Sequence, residues 1–174
     1  KGAIYHHFRS KEDILIAVTD RMTEESNRML AVIRDTPDLN GKEKLRAIFR
    51  ESIFRPVQED MFSTAPNLGN NPRLLYSIFS ETMMVAAPDY IQPIIEQGIA
   101  DGSIQTEYPK ELAELIIMAA NIWMNPMNFG DSAEGAFRKF MLFRQMMKGF
   151  GLDIVDDEMA QRLQELASIY LKKR

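Results

Sequence analysis

Residues 10–34, SKEDILIAVTDRMTEESNRMLAVIR, place Ile14, Leu15, Val18, Met22, Met29, Leu30 and Ile33 at three- and four-residue steps with charged residues between them. That period lays a single apolar stripe along an α-helix and makes no strand face. Ser10 precedes Asp13 by three residues, the capping-box spacing in which each side chain satisfies a free amide of the first turn, and Pro37 lies beyond the end. Nowhere in the chain do apolar and polar residues alternate at length. Asn40-Gly41 and Asp101-Gly102 adjoin segments of helical period rather than two β-branched runs, so the fold class is all-α.

The same reading extends in the carboxyl direction. Asn40 with Glu43 caps a second helix that turns Leu45, Ile48, Phe49 and Ile53 inward and Arg46, Arg50 and Arg55 to water; Pro56 is expected to kink it. Asn71-Pro72 opens a third helix bearing Leu74, Leu75, Ile78, Phe79 and Val85. Pro88 is expected to open a further helix, bent near Pro93 and stopped at Gly102. An extended link over Ser103–Tyr108 leads to a helix from Pro109 to about Met124. Asp131 with Glu134 starts another, to about Lys148, and Asp156-Asp157-Glu158 complement the amino end of the last.

With 174 residues, 45% hydrophobic and 26% charged, the chain has material for one compact domain or a domain with a small appendage. Zero cysteines exclude disulfides, a thiol nucleophile, an iron–sulfur cluster and Cys-ligated zinc. No apolar run approaches the ~20 residues that span a bilayer, so a soluble, cytoplasmic protein without a membrane partner is expected. The net charge of −4 is uneven: residues 1–11 carry Lys1, Arg9 and Lys11 and no acid, leaving −7 on the remainder. Contact with phosphate is therefore expected at that basic tip alone.

Catalysis finds little support. His6 and His7 are adjacent, about 100° apart on a helix, and do not make the i, i+4 pair of a helical metal site. Nucleophile-elbow, phosphate-loop and dinucleotide motifs are missing, and the acids at 153–158 lack the glycine and spacing of a calcium loop. No enzymatic activity, cofactor or metal is expected.

Two helices are apolar nearly all round: Leu115-Ile116-Ile117-Met118-Ala119-Ala120 in one, and Phe137, Phe140, Met141, Leu142, Phe143, Met146 and Met147 in the other. One partner layer does not cover such a helix. A homodimer is expected, with Leu115, Ile116, Trp123, Phe137, Phe140 and Phe143 in a four-helix interface. The competing arrangement makes one of the pair a central core helix and the other merely broad-faced.

At the opening, Ile4 and Phe8 lie one helical turn apart, while Gly2 and His6 fall on the opposite side flanked by Lys1, Tyr5 and His7. A small, basic, aromatic face suits a DNA major groove. Residues 1–15, Lys-Gly-Ala-Ile-Tyr-His-His-Phe-Arg-Ser-Lys-Glu-Asp-Ile-Leu, resemble the signature of the tetracycline-repressor (TetR) family: its recognition helix, the Tyr-x-x-Phe step and the Ser-Lys-Glu opening of the linking helix. The resemblance implies a bacterial transcriptional regulator, with a partial helix-turn-helix head over residues 1–34 followed by an effector-binding and dimerisation bundle over 35–174. It implies a repressor that leaves double-stranded operator DNA on binding a small molecule.

By resemblance, DNA contact falls to Lys1, Gly2, Tyr5, His6, His7 and Lys11, with Ile4 and Phe8 packing behind them. The chain opens inside the motif, without the family's first two helices, so DNA binding is expected of the complete protein and only poorly of this segment. The family's effector lies among the central helices, and Met61, Phe62, Met83, Met84, Met118, Asn121, Trp123, Met124, Phe143 and Met147 are the candidates to line its chamber. Glu81 and Asn121 stand out as polar residues inside apolar stretches that need partners if buried, Glu81 being expected to face solvent in preference to a cationic ligand. A second reading shares this body: a helical dimeric ligand-binding or scaffolding protein that never touches DNA.

Overall fold

The computed structural model describes residue 8 and residues 10–64, 70–129 and 132–172, and among these every regular element is helical. Helix α1 (Lys11–Arg34) starts at Ser10, whose Oγ accepts from the Asp13 amide at 3.0 Å. α2 (Gly41–Phe54) carries a complete capping box: the Asn40 side chain accepts from the Glu43 amide, and Glu43 accepts from the Asn40 amide, both at 2.9 Å. Pro56 does more than kink α2. The helix ends before it, and α3 (Val57–Thr64) starts after it.

Pro88 does not open a helix as expected. Helical backbone runs unbroken from Pro72 to Asp101 through α4 (Pro72–Glu81), a π-helical segment π1 (Thr82–Ile91) that contains Pro88, and α5 (Gln92–Asp101). In α-helical register a proline ring collides with the carbonyl one turn back and removes an amide donor; the wider π turn gives the ring room. α5 stops at Gly102, whose φ of 80° suits glycine.

The next helix likewise changes register, from α6 (Pro109–Met118) to π2 (Ala119–Trp123), and a short α7 (Pro126–Phe129) follows that the periodicity did not announce. α8 (Ala133–Gly149) is capped by Ser132, whose Oγ accepts from the Gly135 amide; Asp131, expected in that role, lies outside the described residues. α9 (Asp157–Leu171) is capped by the Asp156 side chain accepting from the Met159 amide.

One apolar core joins these helices, with Leu45, Leu74, Ile91, Ile94, Ile95, Ile116, Phe140, Phe143, Met147 and Met159 at or near zero exposure. α6 packs along π1, α2 against α5, and α9 against α2, α3 and α8. Arginines expected to face water on α2 also tie down α9: Arg46 meets Asp156 at 2.7 Å and Arg50 meets Glu158 at 2.9 Å. α1 lies on α2 and π1. No helix among the described residues is long and apolar enough to cross a membrane.

Candidate functional site

A series of polar contacts runs from α1 into the middle of the bundle. Asn27 Nδ2 on α1 donates to Glu81 Oε1 at 2.6 Å, at the last residue before π1. The next residue, Thr82, is buried, and its Oγ1 accepts from Asn121 Nδ2 of π2 at 3.2 Å. Asn128 of α7, also buried, donates to the carbonyls of Asn121 at 3.2 Å and Ile122 at 2.9 Å. Its Oδ1 has no hydrogen-bond partner among the described residues. The two π segments thus touch at their polar residues, inside an otherwise apolar bundle. An unfilled buried acceptor there costs free energy unless a donor meets it.

Both polar residues singled out in the sequence lie in this chain: Glu81 is half-buried against α1, and Asn121 against Thr82. Beside them Trp123 is half-buried, its carbonyl accepting from Lys139 Nζ at 3.0 Å with the same ammonium 5.8 Å from its ring centroid. Met124 is buried next to it. Sequence reasoning passed over Thr82, Asn128 and Asn27. A threonine inside Met-Met-Val-Ala-Ala-type surroundings was the available signal for Thr82; nothing local marked Asn27 or Asn128, whose partners are distant in the chain or in an unannounced helix.

Among the described side chains, the remaining chamber candidates do not converge. Met84 is 72% exposed and Met118 37%, so both point away from the interior. Met83 is half-buried. Phe143 and Met147 are packed into the core, Phe143 with its ring centroid 5.3 Å from that of Phe49. The shared apolar core, Phe49 of α2 included, occupies the face that the sequence left free for a ligand. The side chains of Met61 and Phe62 on α3 lie outside the described residues.

The expected dimer residues also need correction. Ile116, Phe140 and Phe143 are covered by their own chain, because α6 and α8 each turn one complete face to the shared core. Leu115, Trp123 and Phe137 are half-buried. The large apolar residues that those helices turn outward are Met118, Met141, Leu142 and Met146.

At the amino end, Lys1, Gly2, Ile4, Tyr5, His6 and His7 lie outside the described residues, as does the side chain of Lys11, the first residue of α1. Phe8 is half-buried. No family model, curated protein or solved structure matches the chain.

Proposed function

We propose that this chain belongs to a ligand-responsive, DNA-binding transcriptional regulator of the tetracycline-repressor type, a homodimeric repressor released from its operator by a small molecule. The observation that carries the reading is the opening motif, residues 1–15, running directly into a 24-residue helix whose far half is fastened to the effector body. A helix of that length is a rod of about 36 Å. Its fastenings are Asn27 on Glu81 and, at its end, the Arg34 carbonyl accepting from the buried Lys44 ammonium at 2.5 Å.

The mechanism follows from adjacency. Glu81 holds α1, and Thr82, its neighbour in the chain, holds Asn121. An effector that prefers one arrangement of π1 against π2 thereby shifts the residue that grips the rod. Its leverage equals its differential affinity for the two arrangements. In a dimer, the rods set the separation of two recognition helices, which must be about 34–36 Å to enter successive major grooves.

Titration of the complete protein against the DNA upstream of its own gene tests the reading. Nanomolar, sequence-dependent binding that weakens steeply with salt is expected. Absence of such binding at low salt overturns it and leaves the ligand-binding or scaffolding alternative.

A further inference from the structure

The free acceptor on Asn128 has a cause in the sequence. π2 ends just before Pro126, and proline brings no amide hydrogen. Counted five residues on, the π spacing in which the Met124 amide reaches the Ala119 carbonyl at 2.8 Å, the donor due to the Asn121 carbonyl is residue 126; counted four on, the donor due to the Ile122 carbonyl is residue 126 again. Asn128 fills both places from two residues further along, its Nδ2 donating to the two carbonyls at 3.2 and 2.9 Å. That uses both hydrogens of the side-chain amide and fixes which way it faces, because a flipped amide would set Oδ1 against two carbonyl oxygens. Oδ1 is left as a lone acceptor in a residue 4% exposed, and no donor among the described residues meets it.

The surroundings select the kind of donor. Asn121, Ile122 and Trp123 are half-buried, so the corner between π2 and α7 lies at the edge of the bundle, and Ile122, Trp123 and the buried Met124 make it mainly apolar. The Trp123 carbonyl, next in the chain after the two that Asn128 holds, accepts from Lys139 Nζ at 3.0 Å. An ammonium one peptide away repels a cationic ligand. A carboxylate or phosphate would turn its lone pairs on Oδ1, acceptor against acceptor. Glu81, which connects to this corner through Thr82 and Asn121, is engaged with Asn27. An uncharged O–H or N–H satisfies Oδ1 without either penalty, and its hydrogen bond counts most where the alternative is an unfilled buried acceptor.

We infer that Asn128 Oδ1 anchors a ligand site at the corner of π2 and α7, and that its ligand is an uncharged, mainly apolar molecule carrying a hydroxyl or an amide N–H. The inference rests on the small-molecule effector of the proposed function and names the chemical class of that effector. Asn121, whose carbonyl Asn128 holds, joins the site to Thr82, the neighbour of the residue that grips α1.

Trp123 is the one tryptophan of residues 1–174, so its emission reports the corner, and a Trp123→Phe protein supplies the background. The probes are cyclohexanol, its methyl ether, cyclohexylammonium and cyclohexanecarboxylate, added to the complete protein without DNA. Cyclohexanol is expected to change the emission saturably, and each of the other three to bind about tenfold more weakly or worse, as the loss of one hydrogen bond to a buried acceptor implies. Asn128→Ala is expected to bring cyclohexanol and its ether within about twofold of each other. Should that variant not fold, the Asn128 side-chain amide resonance of the wild type carries the same information, shifting with the alcohol and not with the ether. Equal binding of alcohol and ether, or tighter binding of either ion, overturns the ligand class. No saturable response to any probe leaves Oδ1 to a buried water and overturns the site. Neither result touches operator binding, which is titrated separately; a discrimination that depends on Asn128 in a protein that binds no operator supports the site and overturns the regulator alone.

Discussion

Gly41 opens α2 at a point where a Cβ would collide with the backbone of Gly98 and stand 2.6 Å from the Ile94 carbonyl, so the missing side chain lets α2 and α5 cross in contact, while a Cβ on Gly98 would meet the side chain of Ile104. The same crossing is held by Asp101, which accepts from the Gly41 amide and the Ser103 amide, each at 2.9 Å. Hydrogen bonds from Ser103 and then from Gly41 hold the Asp101 carboxyl below its ordinary range. A lowered carboxyl stabilises the fold in full above the ordinary carboxylate pKa, and that contribution is lost as pH falls through the lowered value. Asp101→Asn is therefore expected to reduce the urea midpoint at pH of about 6, with the gap from wild type narrowing as pH falls below the ordinary carboxylate range. A gap that stays constant across that range contradicts the assignment.

At the scale of elements, the two π segments reconcile a proline with an unbroken helix and bring Thr82 opposite Asn121. They place Glu81 where it grips α1 through Asn27, a hydrogen bond to a carboxylate of the stronger kind. Asn27→Ala is expected to leave the global unfolding midpoint nearly unchanged. It should speed amide exchange over residues 20–34 by about tenfold, with α9 unaffected. Hydrogen-exchange mass spectrometry reads the difference directly. Equal exchange in both segments of both proteins removes Asn27–Glu81 as a fastening of the rod.

For the whole molecule, opposite faces of α8 do different work. Phe143 has no exposure and packs on Phe49, whereas Leu142, the preceding residue, is 48% exposed. Phe143→Ala is expected to cost about 3–5 kcal/mol in the denaturant midpoint, measured at fixed protein concentration. Leu142→Asp should melt within a few degrees of wild type at concentrations where the chain is monomeric. Inversion of that ranking contradicts the inward and outward assignment of α8. α9 closes the other side of the bundle through Arg46, Arg50 and Arg162, the last meeting Glu59 of α3 at 2.6 Å.

Helix starts were legible because a cap is local: Ser10, Asn40, Asn71 and Asp156 each bond within three residues, and the helical class follows from apolar spacing alone. Glu81 and Asn121 were legible as polar residues in need of partners, though their partners were not. What the tertiary structure decided was register and facing. Whether Pro88 starts a helix or sits inside a π turn depends on the helix packed alongside, and α6 lies along π1. Which side of an all-round apolar helix is core depends on neighbours distant in sequence. Phe49 claims Phe143 while nothing among the described residues covers Met141 or Leu142 as fully, and no count of apolar residues distinguishes the two sides.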